Sequence, residues 1–119
     1  MKRDMQLIRK MVLTAEEGPN GYAPDLQIEG YTTEQLSYHA HLLIQARLAT
    51  GPITTHINGT GPSAQITALT WAGHDFADKS RDEALWRKAM GIVQEKGGAV
   101  TVEILKDLLT KLARGNLGL

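Results

Sequence analysis

Cysteine is absent from this chain of 119 residues. Its absence removes disulfide frameworks, thiol catalysis and cysteine-based zinc sites together. Long apolar runs are missing as well. No window approaches the roughly 20 apolar residues of a membrane-crossing helix. The opening MKRDMQLIRKMVLTAEEG interrupts its apolar residues with charges, so it lacks the continuous stretch of a secretory signal. A cytoplasmic protein with no membrane partner is expected. Hydrophobic residues make up 42% and charged residues 22%, a balance that leaves enough apolar surface to offset chain entropy. The length fits a single domain over 1–119 that forms a core without staples. That domain is read as a core over 1–70 and a C-terminal helical extension over 71–119.

Positive charge is the second scarcity, and it is local. The chain holds 13 Lys and Arg against 13 Asp and Glu, but they are segregated. Lys2, Arg3, Arg9 and Lys10 crowd the start with Asp4 as their only acidic neighbour. Residues 15–70 then carry Glu16, Glu17, Asp25, Glu29 and Glu34 against Arg47 alone, and the two signs balance again beyond residue 70.

What is present reads as an α+β chain. Met5, Ile8, Met11, Val12 and Ala15 recur at helical spacing behind Asp4, a good N-cap, and predict a helix over 4–17. If that helix starts early enough, its four cations share the opposite face. Gly18-Pro19-Asn20-Gly21 ends it. A short strand is expected at Leu26–Ile28. Thr32 and Gln35 have the spacing of a capping box, which opens a helix to about Arg47. Leu36, Ala40, Leu43 and Ala46 should face inward, with His39 at the edge of that face. Ser37, Tyr38, His41 and Gln45 should face outward. Ile53, Thr55 and Ile57 alternate with Thr54, His56 and Asn58, and Ile66–Thr70 returns, with Asn58-Gly59-Thr60-Gly61-Pro62 as the turn of a hairpin. Thr70 caps a helix over 71–79. A second capping box at Ser80–Glu83 opens another, Gly97-Gly98 breaks it, and Thr101 caps a last helix with a Leu105, Leu108, Leu109, Leu112 stripe.

Helix, short strand, helix, hairpin and helices follow one another in the order of a winged helix. YTTEQLSYHAHLLIQARL over 31–48 resembles the recognition helix of that superfamily, with Arg47 where its members carry the glycine of a left-handed helix cap. MKRDMQLIRKMV, the 31–48 stretch, LTWAGHDFADKSRD and KGGAVTVEILKDLL together resemble a family of uncharacterised bacterial and phage-encoded proteins catalogued as a domain of unknown function. The resemblance covers nearly the whole chain. It implies a bacterial or phage origin and supports the winged-helix-like core, but it brings no reaction, cofactor or catalytic residue with it.

The candidate chemistry is therefore that of binding. In a major groove, Tyr38, His41 and Gln45 would meet base edges, with Ser37 beside them in the binding set, and Thr54, His56 and Asn58 of the wing would meet backbone or minor groove. Arg9 and Lys10 would supply phosphate contacts if the first helix lies near the duplex; otherwise they belong to a solvated helix face. Duplex DNA is the partner that fold analogy names. A host protein is the alternative, and the cation-poor middle of the chain favours it, because phosphate binding requires cations. Leu42 and Ile44 widen the apolar arc of the helix beyond one face, which asks for cover from the C-terminal helices or from a second copy in a homodimer. His39 and His41, two apart on a helix, point to different faces and cannot share a metal. His74-Asp75 fits a helix first turn better than a metal dyad. Gly59-Thr60-Gly61 precedes a strand and so is not a phosphate loop. Trp71, Phe76 and Trp86 are expected in the core rather than in a binding cage. No nucleophile with a partnered base is recognisable, and no catalytic residue, cofactor or metal is expected.

Overall fold

A computed structural model describes residues 1–56, 59, 61–98 and 100–116. Its elements run α1 (Met5–Ala15), α2 (Thr33–Gln45), β1 (Ala49–Thr50), β2 (Ile53–Thr54), β3 (Ser63–Ala64), β4 (Ala68–Leu69), α3 (Trp71–Ser80), α4 (Glu83–Glu95) and α5 (Val102–Asn116). The α+β class and the order of helix, capped helix, hairpin and C-terminal helices are as the sequence implies. The chain divides into two compact units, Met1–Ala77 and Asp78–Leu119. No helix among the described residues is long and apolar enough to cross a membrane.

In the first unit, the Asp4 carboxylate accepts from the N–H groups of Gln6 (2.9 Å) and Leu7 (3.2 Å), which starts α1 at Met5. Lys2 and Arg3 therefore precede the helix and do not share a face with Arg9 and Lys10. Met5, Leu7, Ile8, Met11, Val12 and Ala15 are buried, and α1 packs on α2 and β4. At α2 the capping box closes in both directions: Gln35 N–H donates to Thr32 Oγ1, and the Gln35 side chain accepts from Thr32 N–H. Ala40 and Leu43 lie in the core, and α2 packs on β1 and β3.

The C-terminal end of α2 is a Schellman motif. Leu48 N–H reaches the Leu43 carbonyl and Arg47 N–H the Ile44 carbonyl, both at 3.0 Å. Arg47 takes φ +62°, the one non-glycine residue with positive φ among those described. The left-handed cap thus forms with arginine in the glycine place. The turn feeds directly into the hairpin, where β1 pairs with β4 (Ala49 opposite Leu69) and β2 with β3 (Ile53 opposite Ala64), both antiparallel. Ile57, expected in the first strand of the hairpin, and Asn58 and Thr60, expected in its turn, lie outside the described residues.

Thr70 caps α3 as its sequence implies: its hydroxyl accepts from Gly73 N–H (3.1 Å) and donates to the Arg47 carbonyl (2.6 Å). Gly73 brings the helix against the Leu48 carbonyl oxygen, where a β-carbon would stand only 1.9 Å away. Phe76 is buried, but Trp71 is 86% exposed. Its position at the first residue of α3 turns it away from the core that was expected to hold it.

In the second unit, α4 starts at Asp82, whose carboxylate accepts from Leu85 N–H (3.0 Å). Asp82, not Ser80, is therefore the N-cap. A second Schellman motif ends α4, with Gly97 (φ +100°) in the left-handed position and Gly98 N–H on the Val93 carbonyl (2.9 Å). Thr101 Oγ1 accepts from Ile104 N–H at the start of α5, and α4 packs on α5. Trp86, Leu105 and Leu109 are buried.

A groove beside the capped helix

His39, placed by sequence at the edge of the inner face, is only 2% exposed. Its Nδ1 donates to the Gln35 carbonyl (2.8 Å), which leaves Nε2 to accept from the Asp4 backbone N–H (2.9 Å). The arrangement requires a neutral ring with its proton on Nδ1. It ties the entrance of α1 to the second turn of α2, and Asp4 acts twice, as cap through its side chain and as donor through its backbone. The Tyr38 ring meets the His39 ring edge-on at 5.7 Å between centroids.

Ser37 is not an outward residue. It is half-buried, and its Oγ accepts from Ala64 N–H at 3.0 Å, a bond that fastens β3 to α2. Tyr38 and His41 are also half-buried, and His41 Nδ1 is buried with no hydrogen-bond partner. Of the four α2 residues assigned to an outer face, Gln45 alone is fully exposed. Helix α2 is clamped between α1 and β3, which leaves a narrower free face than a lone helical wheel implies. Thr54 and His56 are exposed, and Asn58 lies outside the described residues.

The cations are partly engaged. Lys10 Nζ lies 5.4 Å from the centroid of the Tyr31 ring, within cation–π range. Burial, followed by the charge and hydrogen-bonding oxygen of Asp4, pushes the Tyr31 phenol above its ordinary pKa of 10.0. Arg9 is half-buried, and Lys10 and Arg47 are exposed. Among the described residues, no three His, Asp or Glu side chains converge in a group fit to hold a metal ion.

Sequence reasoning missed a groove of about 1120 Å³ in this unit. One wall is the connection 23–31 and the other is the hairpin at Pro52, Thr54 and 63–66. Met11 and the first turns of α2 lie between them. Leu26–Ile28, expected as a strand, runs here as irregular chain. Two causes are visible. Pro24 has no N–H to offer a ladder, and Ser37 already takes the Ala64 N–H on the hairpin. The connection touches the hairpin backbone through one hydrogen bond among the described residues, Ala23 N–H to the Thr67 carbonyl (2.8 Å). The charged residues of the described lining are Asp25 and Glu29. The clue in the sequence was the pairing of Pro24 with two carboxylates in a segment that otherwise reads as a half-apolar strand.

A similar protein is an uncharacterized protein of Haemophilus influenzae, 30% identical over 111 residues that span 91% of this chain and 92% of that protein. No solved structure matches the chain. The model of the family described as Hypothetical protein (DUF2513) matches residues 2–99, so the chain belongs to that family of unknown function.

Proposed function

We propose that this chain is a non-catalytic cytoplasmic binding protein whose winged-helix-like core recognises another protein rather than duplex DNA. The groove between the 23–31 connection and the hairpin carries the reading, because its charged lining is acidic and includes no cation among the described residues. A duplex-binding domain that makes ~6–10 phosphate contacts needs a comparable supply of cations. Helix α2 and the described part of the hairpin bring Arg47, while Glu34 stands exposed at the α2 entrance and repels phosphate. Ser37 spends its hydroxyl on the hairpin, which removes one contact that a DNA reading would use. Were the chain phage-borne, such a module would act by occupying a protein of the host.

The test is a pair of titrations on the ¹⁵N-labelled chain. A mixed pool of short peptides should shift amides of residues 23–31 and 63–66. Duplex DNA at low salt should leave the α2 amides where they are. DNA binding that weakens with salt, and weakens again when Arg9 and Lys10 are reversed to glutamate, would refute the proposal.

A further inference from the structure

A groove of about 1120 Å³ exceeds the ~300–1,000 Å³ of most small-molecule pockets, and two of its walls are extended stretches of chain, 23–29 and 63–66. Those walls carry unused hydrogen-bonding groups. Ile66, buried and facing the groove between β3 and β4, makes no backbone hydrogen bond with the described chain through either its N–H or its carbonyl. Across the groove, Leu26 and Gln27 likewise have no backbone partner. Backbone groups of a folded protein are almost always paired, with the chain itself or with water, so an unused pair at Ile66 beside an open slot is available to a further strand. Extended segments bind other proteins in this way, with main-chain bonds supplying affinity and alternate side chains supplying selectivity.

The side chains indicate what that segment carries. Leu26, Ile28, Leu36 and Ala40 give the slot apolar surface, whereas Asp25 and Glu29 are exposed carboxylates with no cation beside them in the lining. Among the described residues neither carboxylate has an ion-pair partner, and Asp25 accepts only from the Gln27 side-chain amide, at 3.3 Å.

We infer that the groove receives an extended segment of a partner protein, its side chains alternating between apolar and basic, which bonds through its backbone to Ile66 and to the 24–28 connection. This rests on the protein-binding reading above and gives that reading a chemistry.

Two capped peptides test it, one alternating Lys with Val and one alternating Glu with Val, each titrated into the ¹⁵N-labelled full chain. The Lys–Val peptide should shift the Leu26, Gln27 and Ile66 amides and slow hydrogen exchange at Ile66. The Glu–Val peptide should bind at least about fivefold more weakly, the scale of two exposed ion pairs. Asp25→Asn combined with Glu29→Gln should erase that preference while leaving the spectrum of the free chain unchanged, since both side chains are exposed. Equal binding of the two peptides, or binding without protection of Ile66, would overturn the strand chemistry yet leave a protein-binding groove. Silence of the groove toward both peptides, with α2 amides answering duplex DNA, would overturn both readings. Groove amides that shift with the chain's own concentration would make a second copy the occupant and overturn the basic partner.

Discussion

Arg47 offers the sharpest test of the local energetics. It holds φ +62° at the position where a Schellman motif ordinarily places glycine. A left-handed conformation costs a residue with a β-carbon roughly 1–2 kcal/mol. Glycine avoids that cost but has more freedom to lose on folding, worth roughly 0.4–1 kcal/mol. The Arg47 side chain is exposed and makes no hydrogen bond or ion pair among the described residues, so its removal forfeits little. Arg47→Gly should therefore stabilise the first unit by about 0.5–1 kcal/mol. Arg47→Asn should fall between the two, and Arg47→Ala should resemble the parent. The assay is native-state hydrogen exchange at α2 amides, because Trp86, the buried tryptophan, belongs to the second unit and would report on that unit instead. The reciprocal change makes the comparison internal. Gly97 occupies the same place in the motif that ends α4, with φ +100°, and Gly97→Arg should cost about 0.5–1 kcal/mol there by the same two terms. A glycine at 47 that is no more stable than alanine would refute the argument, because the left-handed conformation would then carry no net cost for a residue with a β-carbon.

Other perturbations follow from the same contacts. His39→Ala should cost about 3 kcal/mol in chemical denaturation, since it empties a buried site and strands the Asp4 N–H; His39→Gln, which can keep one bond, should cost less. Gly73→Ala should destabilise by about 3 kcal/mol through overlap with the Leu48 carbonyl, whereas Gly91→Ala, with open space around it in α4, should stabilise by roughly 0.5–1 kcal/mol. Raised in the folded chain, the Tyr31 pKa makes the protonated phenol the favoured form, so its contribution is fully present below pH 10.0 and is lost as pH rises through the folded value. Tyr31→Phe should flatten that alkaline decline in a pH series of urea midpoints, and an unchanged slope would remove Tyr31 from the account.

The elements that were legible in sequence are those set by neighbours three or four residues apart. The Asp4 cap, the Thr32–Gln35 box, the Thr70 and Thr101 caps and the apolar stripe of α1 all close within one turn of helix, so spacing alone determines them. The Ser80–Glu83 box had equally good spacing, but Asp82 lies closer to the first turn and took the role. Arg47 illustrates the limit. The motif marked the position, but whether a β-carbon would tolerate it depended on Leu43 and Leu48 being buried together with the hairpin strand that follows.

The candidate site was less legible, because its geometry is made by residues far apart in the chain. A helical wheel turns Ser37 outward; β3, arriving from 27 residues further on, takes its hydroxyl. It leaves His39 at an edge, yet the Asp4 N–H, 35 residues back, draws it into the core. Along the groove, Ser37 takes the Ala64 N–H that a strand at 26–28 would have used, and no periodicity records that competition. Sequence by itself determined the helices, their caps, the dearth of cations over 15–70 and the family, since each is local or compositional. Only the tertiary structure decided which polar groups were consumed and which were left open at Ile66 and along the connection, because hydrogen bonds between distant segments are allotted only when those segments meet.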